Sequence, residues 1–276
     1  MANCSYCGQP AGLLRTKHKE CEAKHREGSS HMLMIATNSA LGKGALDGLE
    51  TRLSELAKAS LVATSDVQSA LIRGWEQAVD HFLADGHLDA TEEEHLSRFS
   101  SHFSLSQDTL DDHGAHARLV KGGVLRDIMN GVIPDRVEVQ GNLPFNLQKT
   151  EKLVWLFPKV KYYEDRKRRH YVGGSHGMSF RIAKGVYYRV GAFKAHPVET
   201  TETVLVGSGL LGITNRHLYF SGGGKSFRIR HDKIVSIQPY SDGVGIHRDA
   251  ATAKPQVFAT GDGWFTYNLL MNVSGL

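Results

Sequence analysis

The chain has 276 residues, 41% of them hydrophobic and 22% charged, and carries a formal net charge of +4. This composition belongs to a globular protein with room for one or two ordinary domains and a small module; it excludes collagenous and low-complexity chains. The mild basicity does not by itself imply nucleic acid. There is no uncharged run long enough to span a bilayer and no apolar segment behind Met1, so neither a transmembrane helix nor a signal peptide is expected.

All three cysteines fall at the N-terminus, as Cys4-Ser-Tyr-Cys7-Gly8 and His18-Lys-Glu-Cys21. A C-x2-C turn places two thiolates on one metal, and Gly8 frees the backbone for the tight loop. His18 and Cys21 share one face of a helix and complete a tetrahedral Cys3His set suited to zinc. His25 competes for the fourth place, since Cys21-x3-His25 is also helical spacing. Four protein ligands close the coordination sphere, which points to structure; catalytic zinc keeps a position for water. Clustered thiols with none elsewhere argue for a reducing, cytoplasmic setting. The run Cys4–Leu14 resembles small bacterial zinc ribbons that begin C-x-x-C-G-x-x-x-G-L-L, with His18 replacing the first cysteine of the second pair.

Residues 1–30 read as the zinc knuckle and a charged helix, with Gly28-Ser-Ser-His-Met32 as a linker. Residues 31–136 read as a helical domain. Leu46, Leu49, Leu53 and Leu56 recur at near-helical spacing. A helix over Ser65–Leu83 carries Val67, Leu71, Trp75, Val79 and Phe82 as its stripe, and Asp85-Gly86 ends it. Another begins at Thr91, with Leu96, Phe99 and Phe103 inward. Ser106 caps Gln107–His116, and a last helix over Ala117–Met129 stops at Asn130-Gly131.

The elbow Asp85-Gly-His-Leu-Asp89-Ala-Thr-Glu92-Glu-Glu94 fails as a calcium loop, because His81 and Leu83 stand where carboxylates are required. It resembles helical domains of the tellurite-resistance type. That resemblance implies metal binding through acidic clusters, for which Asp85, Asp89 and Glu92–Glu94 are the candidates. Asp111, Asp112, His113 and His116 form a second candidate metal group.

After a linker over 137–146, residues 147–276 read as strands closed by one helix. Short apolar runs from Lys152 to Thr260 are separated by turn signals at Gly173-Gly174, Asn215-Arg216, Gly222-Gly-Gly224, Ser241-Asp-Gly243 and Gly261-Asp-Gly263. Pro158 predicts a bulge or an edge. Gly222-Gly-Gly-Lys225-Ser226 lacks the spacing of a phosphate-binding loop and reads as a hairpin. Asp262 caps the final helix, with Trp264, Phe265, Leu269 and Leu270 as its apolar face.

Gly209-Leu-Leu-Gly-Ile-Thr214-Asn-Arg-His-Leu-Tyr-Phe220, with Lys225–Ile229 and Asp232–Ile237, resembles the GRAM and bacterial pleckstrin-homology-like superfamily. The resemblance implies a seven-stranded bent antiparallel barrel plugged by a C-terminal helix. The whole chain is thus expected to be an α+β multidomain protein of knuckle, helical domain and pleckstrin-homology-type barrel. Lys161, Arg166, Lys167, Arg168 and Arg169, interleaved with tyrosines, are the candidate ligand-binding residues for anionic lipid or other phosphates, and Lys225, Arg228, Arg230 and Lys233 add to them if the two hairpins adjoin.

The leading functional reading is a non-enzymatic, zinc-containing modular adaptor. Its β-domain would bind a membrane lipid or a protein partner, from the cytoplasm or the membrane periphery. A metal-dependent enzyme using helical Asp and His residues is the alternative from another class. Nucleic-acid binding through the knuckle and the basic hairpin is the third.

Overall fold

The computed structural model describes residues 2–12, 15–139, 141–175, 178–183, 186–190, 193–250 and 253–276, with side chains inside 166–201 left aside. The chain forms two compact units, Met1–Val132 and Ile133–Leu276.

The first unit holds six helices: α1 (Lys19–Ala40), α2 (Leu49–Ala59), α3 (Asp66–Phe82), α4 (Ala90–His102), α5 (Gln107–Leu110) and α6 (Ala115–Met129). Helix α1 runs without a break through residue 30. The Gly28–Met32 stretch, read from sequence as a linker, is its middle, with Gly28 and Met32 buried. A Cβ at Gly28 would meet Ser60 Cβ at 2.1 Å. Helix α1 also crosses α3 closely, since a Cβ at Gly74 would lie 2.7 Å from Ala36 Cβ. Small residues here let two backbones approach where larger ones would hold them apart. The core gathers Met32, Ala36, Leu49, Leu53, Leu71, Trp75, Val79, Leu96 and Phe99, all almost wholly buried. The indole of Trp75 donates to the Leu96 carbonyl at 3.0 Å, so the largest core side chain buries no unpaired donor.

Caps set the helix ends. Gly86 takes the left-handed conformation after a short turn at Leu83–Asp85. Asp89, two residues before the expected Thr91, starts α4 through a capping box with Glu92. Ser106 caps α5. That helix is only one turn long, and Gly114, in the left-handed region, separates it from α6.

The second unit contains β1 (Leu153–Ser175), β2 (Met178–Ala183), β3 (Val186–Val190), β4 (Phe193–Thr214), β5 (His217–Gly222), β6 (Lys225–Arg230), β7 (Ile234–Pro239), β8 (Gly243–Arg248), β9 (Gln256–Ala259) and α7 (Gly263–Val273). Runs that look separate in the sequence merge into the two long strands β1 and β4, which pair from Leu153↔Thr214 to Ser175↔Phe193; Gly173 and Gly174, read from sequence as a turn, continue β1 opposite Ala195 and Lys194. Strands β2 and β3 form a two-stranded sheet of their own. The register slips between Phe157 and Val160, the bulge expected at Pro158, and Lys159 takes φ +59° there.

The main sheet has seven strands in the order β6-β5-β4-β1-β9-β8-β7, with antiparallel pairing throughout. The expected barrel is therefore corrected in one respect: β6 and β7 are edges, and the sheet does not close. It must nonetheless curl. Laid flat, its edge strands would stand roughly 29 Å apart. A three-residue turn, His231–Lys233, joins them, and such a link reaches about 14 Å at most. The sheet's inner face carries Tyr162, Leu211, Ile213, Phe220, Ile246 and Phe258, all fully buried. Helix α7 packs Phe265 against Trp155, with ring centroids 4.9 Å apart. Asp262 accepts from the Phe265 amide at 3.0 Å, the cap expected from sequence. Trp264, read as part of the apolar face, is instead 58% exposed.

Candidate metal centre and the charged sites of the sheet

Ligand atoms of Cys4, Cys7, His18 and Cys21 all lie within 4.8 Å of one another, the only group of three or more potential ligands that meets among the described residues. The backbone builds this convergence. Residues Asn3 and Pro10 bridge, the Gly8 amide donates to the Cys4 carbonyl at 2.9 Å, and Gly8 takes φ +73°, so the C-x2-C turn folds back on itself. Cys4 is buried at its centre. His18 is the N-cap residue of α1, and Cys21 lies in its first turn.

His18 Nδ1 stands 3.4 Å from Cys7 Sγ and 3.7 Å from Cys21 Sγ. Its Nε2 lies 3.1 Å from the Pro10 carbonyl. A carbonyl can only accept, so Nε2 carries the hydrogen and Nδ1 presents its lone pair to the three sulfurs. This is the outer-shell contact that orients a ligating histidine. His25 instead rests on the Tyr6 ring, centroids 4.5 Å apart, outside the convergent group.

The thiols are poised unequally. Burial pushes the Cys4 thiol up, but backbone amides of His18, Cys7 and Tyr6 outweigh it and bring the group to about 6. Burial and the sulfurs of Cys7 and Cys4 push Cys21 up to about 11. One thiolate thus opposes the next, a repulsion that a cation between them would remove. The residues fit a tetrahedral metal in number, type and spacing.

The other acidic and histidine candidates of the first unit have separate tasks. Asp85 Oδ1 accepts from the His87 amide, Asp89 and Glu92 cap α4, and Asp111 Oδ1 accepts from the Ala117 amide at 2.7 Å. Glu93 pairs with Arg126 at 2.6 Å. His113 Nδ1 meets Glu76 at 2.8 Å, a contact that raises the histidine's pKa.

In the second unit, Lys161 is exposed on β1. The side chains of Arg166, Lys167, Arg168 and Arg169 lie outside the described residues; their backbones continue β1 in register with β4. Lys225 is held by Glu164 at 2.6 Å.

Two features of this unit escaped sequence reasoning. The first is a buried polar knot around Glu151. Its carboxylate accepts from the Thr214 hydroxyl at 2.8 Å, His217 Nδ1 at 2.6 Å, the Tyr219 hydroxyl at 2.6 Å and the Gln148 amide at 2.7 Å. Burial would raise this carboxyl, but the four donors outweigh it and hold it at about 2. The Thr214 hydroxyl in turn accepts the Arg216 and His217 amides, which fixes the β4–β5 turn.

The second is a cavity of about 740 Å³ at the corner where the sheet fails to close. Its walls include Arg216 of the β4–β5 turn, Arg228 and Arg230 of β6, Lys233 of the joining turn and Arg248 of β8. Arg228, Arg230 and Lys233 read from the sequence as additions to the basic run of β1; the curl gathers them instead with Arg216 and Arg248.

Compared with known proteins, the chain matches no protein-family model and no curated protein. No described helix is long and apolar enough to cross a membrane.

Proposed function

We propose that this protein is a non-enzymatic, zinc-containing binding protein. In this reading the Cys4, Cys7, His18 and Cys21 site holds zinc as a structural ion, and the C-terminal unit works as a pleckstrin-homology-like module for an anionic membrane lipid or a protein partner. The observation that carries the non-enzymatic half is the closure of the tetrad. Three sulfurs and one oriented imidazole nitrogen converge; bound to one zinc they would fill its four tetrahedral positions and leave none there for a water or a substrate. Sulfur-rich tetrahedral sets favour zinc over hard cations. The seven-stranded curled sheet with its closing helix supports the binding half.

Sedimentation with vesicles of phosphatidylcholine and phosphatidylserine, at two salt concentrations, tests the binding half. Binding that weakens with salt is expected, and reversal of Arg166, Lys167, Arg168 and Arg169 together should abolish it if that run supplies the contact. Binding to duplex DNA alone would replace this reading with a nucleic-acid one.

A further inference from the structure

The cavity at the open corner of the sheet has a composition that an ordinary solvated surface does not require. Five cations and one carboxylate, Asp232, line it, leaving a surplus of four positive charges around about 740 Å³. Asp232 is engaged by Arg230 at 2.7 Å. Like charges so gathered repel one another, and an anion between them relieves that repulsion.

His231 supplies an independent observation. It lines the same cavity, yet is only 7% exposed. Its Nε2 lies 2.8 Å from the Thr214 carbonyl and must donate to it. Its Nδ1 is buried and has no partner among the described residues. A buried polar nitrogen left unpaired costs free energy, unlike the exposed arginine tips around it.

We propose that this cavity binds a compact anion bearing two or three phosphate groups, held chiefly by Arg216, Arg228, Lys233 and Arg248. The charge count sets the number, since each phosphomonoester carries about −1.5 to −2 at neutral pH. Guanidinium forks suit phosphate oxygens in pairs, and the volume is that of a small-ligand site. The site is distinct from the basic run of β1. The cavity lies at the Leu153 end of that strand, beside Thr214. Arg166 is thirteen residues further on, roughly 40 Å along the chain. The proposal rests on the binding-module reading of this unit but names a different surface for it.

Two sources offer such an anion, a free polyphosphorylated solute and a lipid headgroup. Titration calorimetry of the full chain with inositol trisphosphate and with inorganic tripolyphosphate gives the first arm. Sedimentation with phosphatidylcholine vesicles containing phosphatidylinositol bisphosphate gives the second. Arg216→Gln with Arg248→Gln should weaken whichever probe binds by about thirtyfold, at about fivefold per cation. If that double variant does not fold, Lys233→Gln alone should show about a fivefold loss. Unchanged affinity in a folded variant, with binding lost instead on reversal of Arg166–Arg169, overturns the inference and keeps the binding-module reading. Failure of the parent chain to bind any phosphate probe overturns the inference too, and failure with a protein-partner screen as well removes the broader reading.

Discussion

Glu151→Ala is the most informative single change in the sheet unit. The carboxylate is the common acceptor of four donors, from Gln148, Thr214, His217 and Tyr219, and its own side chain is fully buried. Alanine leaves the Gln148 amide, His217 Nδ1 and the Tyr219 hydroxyl without this acceptor, while the Thr214 hydroxyl can turn to the His217 carbonyl at 3.0 Å. At about 1 kcal/mol for each stranded donor the loss is about 3 kcal/mol, within the range for breaking a buried charged network. That is a large share of the about 5–15 kcal/mol that holds a domain together. Glu151→Gln keeps the shape but turns one oxygen into a donor facing Tyr219 and the Gln148 amide, so about half the loss is expected. Hydrogen exchange along a urea titration, read on peptides of β5 and β8, measures this unit alone. A Glu151→Ala variant within about 0.5 kcal/mol of the parent would refute the network's role. The same carboxyl sets an acid limit. Its folded value of about 2 lies below the ordinary value of 4.5. The stabilisation is therefore complete above pH 4.5 and drains away as pH falls towards 2, amounting to about 2–3 kcal/mol.

Elemental analysis of the parent should find one equivalent of zinc, and Cys21→Ser should release it and lower the melting temperature of the helical unit; retention of metal in the variant, or a parent chain without it, would remove the zinc assignment. Gly74→Ala brings a methyl group to 2.7 Å from Ala36 Cβ and 2.8 Å from backbone atoms of Ala36 and Thr37. The strain of about 1–3 kcal/mol should outweigh the gain of about 1 kcal/mol in helix propensity, and a more stable variant would show that α1 and α3 can part freely. Limited proteolysis should cut between Gly131 and Asn146, where no described residue lies in a helix or strand and the two units meet in sequence; a chain nicked first within α3 or β5 would contradict that division.

How much was legible in the sequence follows from how local each interaction is. The metal ligands declare themselves because C-x2-C and H-x2-C are contacts of one turn each. Gly86, Ser106 and Asp262 mark helix ends for the same reason. Helix α1 is illegible past residue 27 because Gly28, Ser29 and Ser30 lower its propensity; the packing of Gly28 on Ser60 and of Ala36 on Gly74 overrides this. Alternating strands foretell the sheet and its closing helix, but closure depends on whether β6 meets β7, and no local pattern specifies that. Glu151 reads as one more charge in Lys149-Thr-Glu-Lys152. Its side-chain partners are more than sixty residues away, and the cavity's five cations are scattered over four separate elements or turns.

The placement of His18 and Cys21 at the head of α1 has a consequence for how the helical unit assembles. Starting a helix is its unfavourable step, because several residues must be fixed before the first hydrogen bond repays them. A metal gripping both residues fixes that first turn in advance, at the end where the chain is otherwise most prone to fray. From Cys21 the helix runs to Ala40, about 28 Å on, and delivers Met32 and Ala36 to the core along the way. A metal bound there would thus be a seed crystal for a rod that packs against α2, α3 and α4, and its loss would be felt at Trp75 although such an ion touches nothing there.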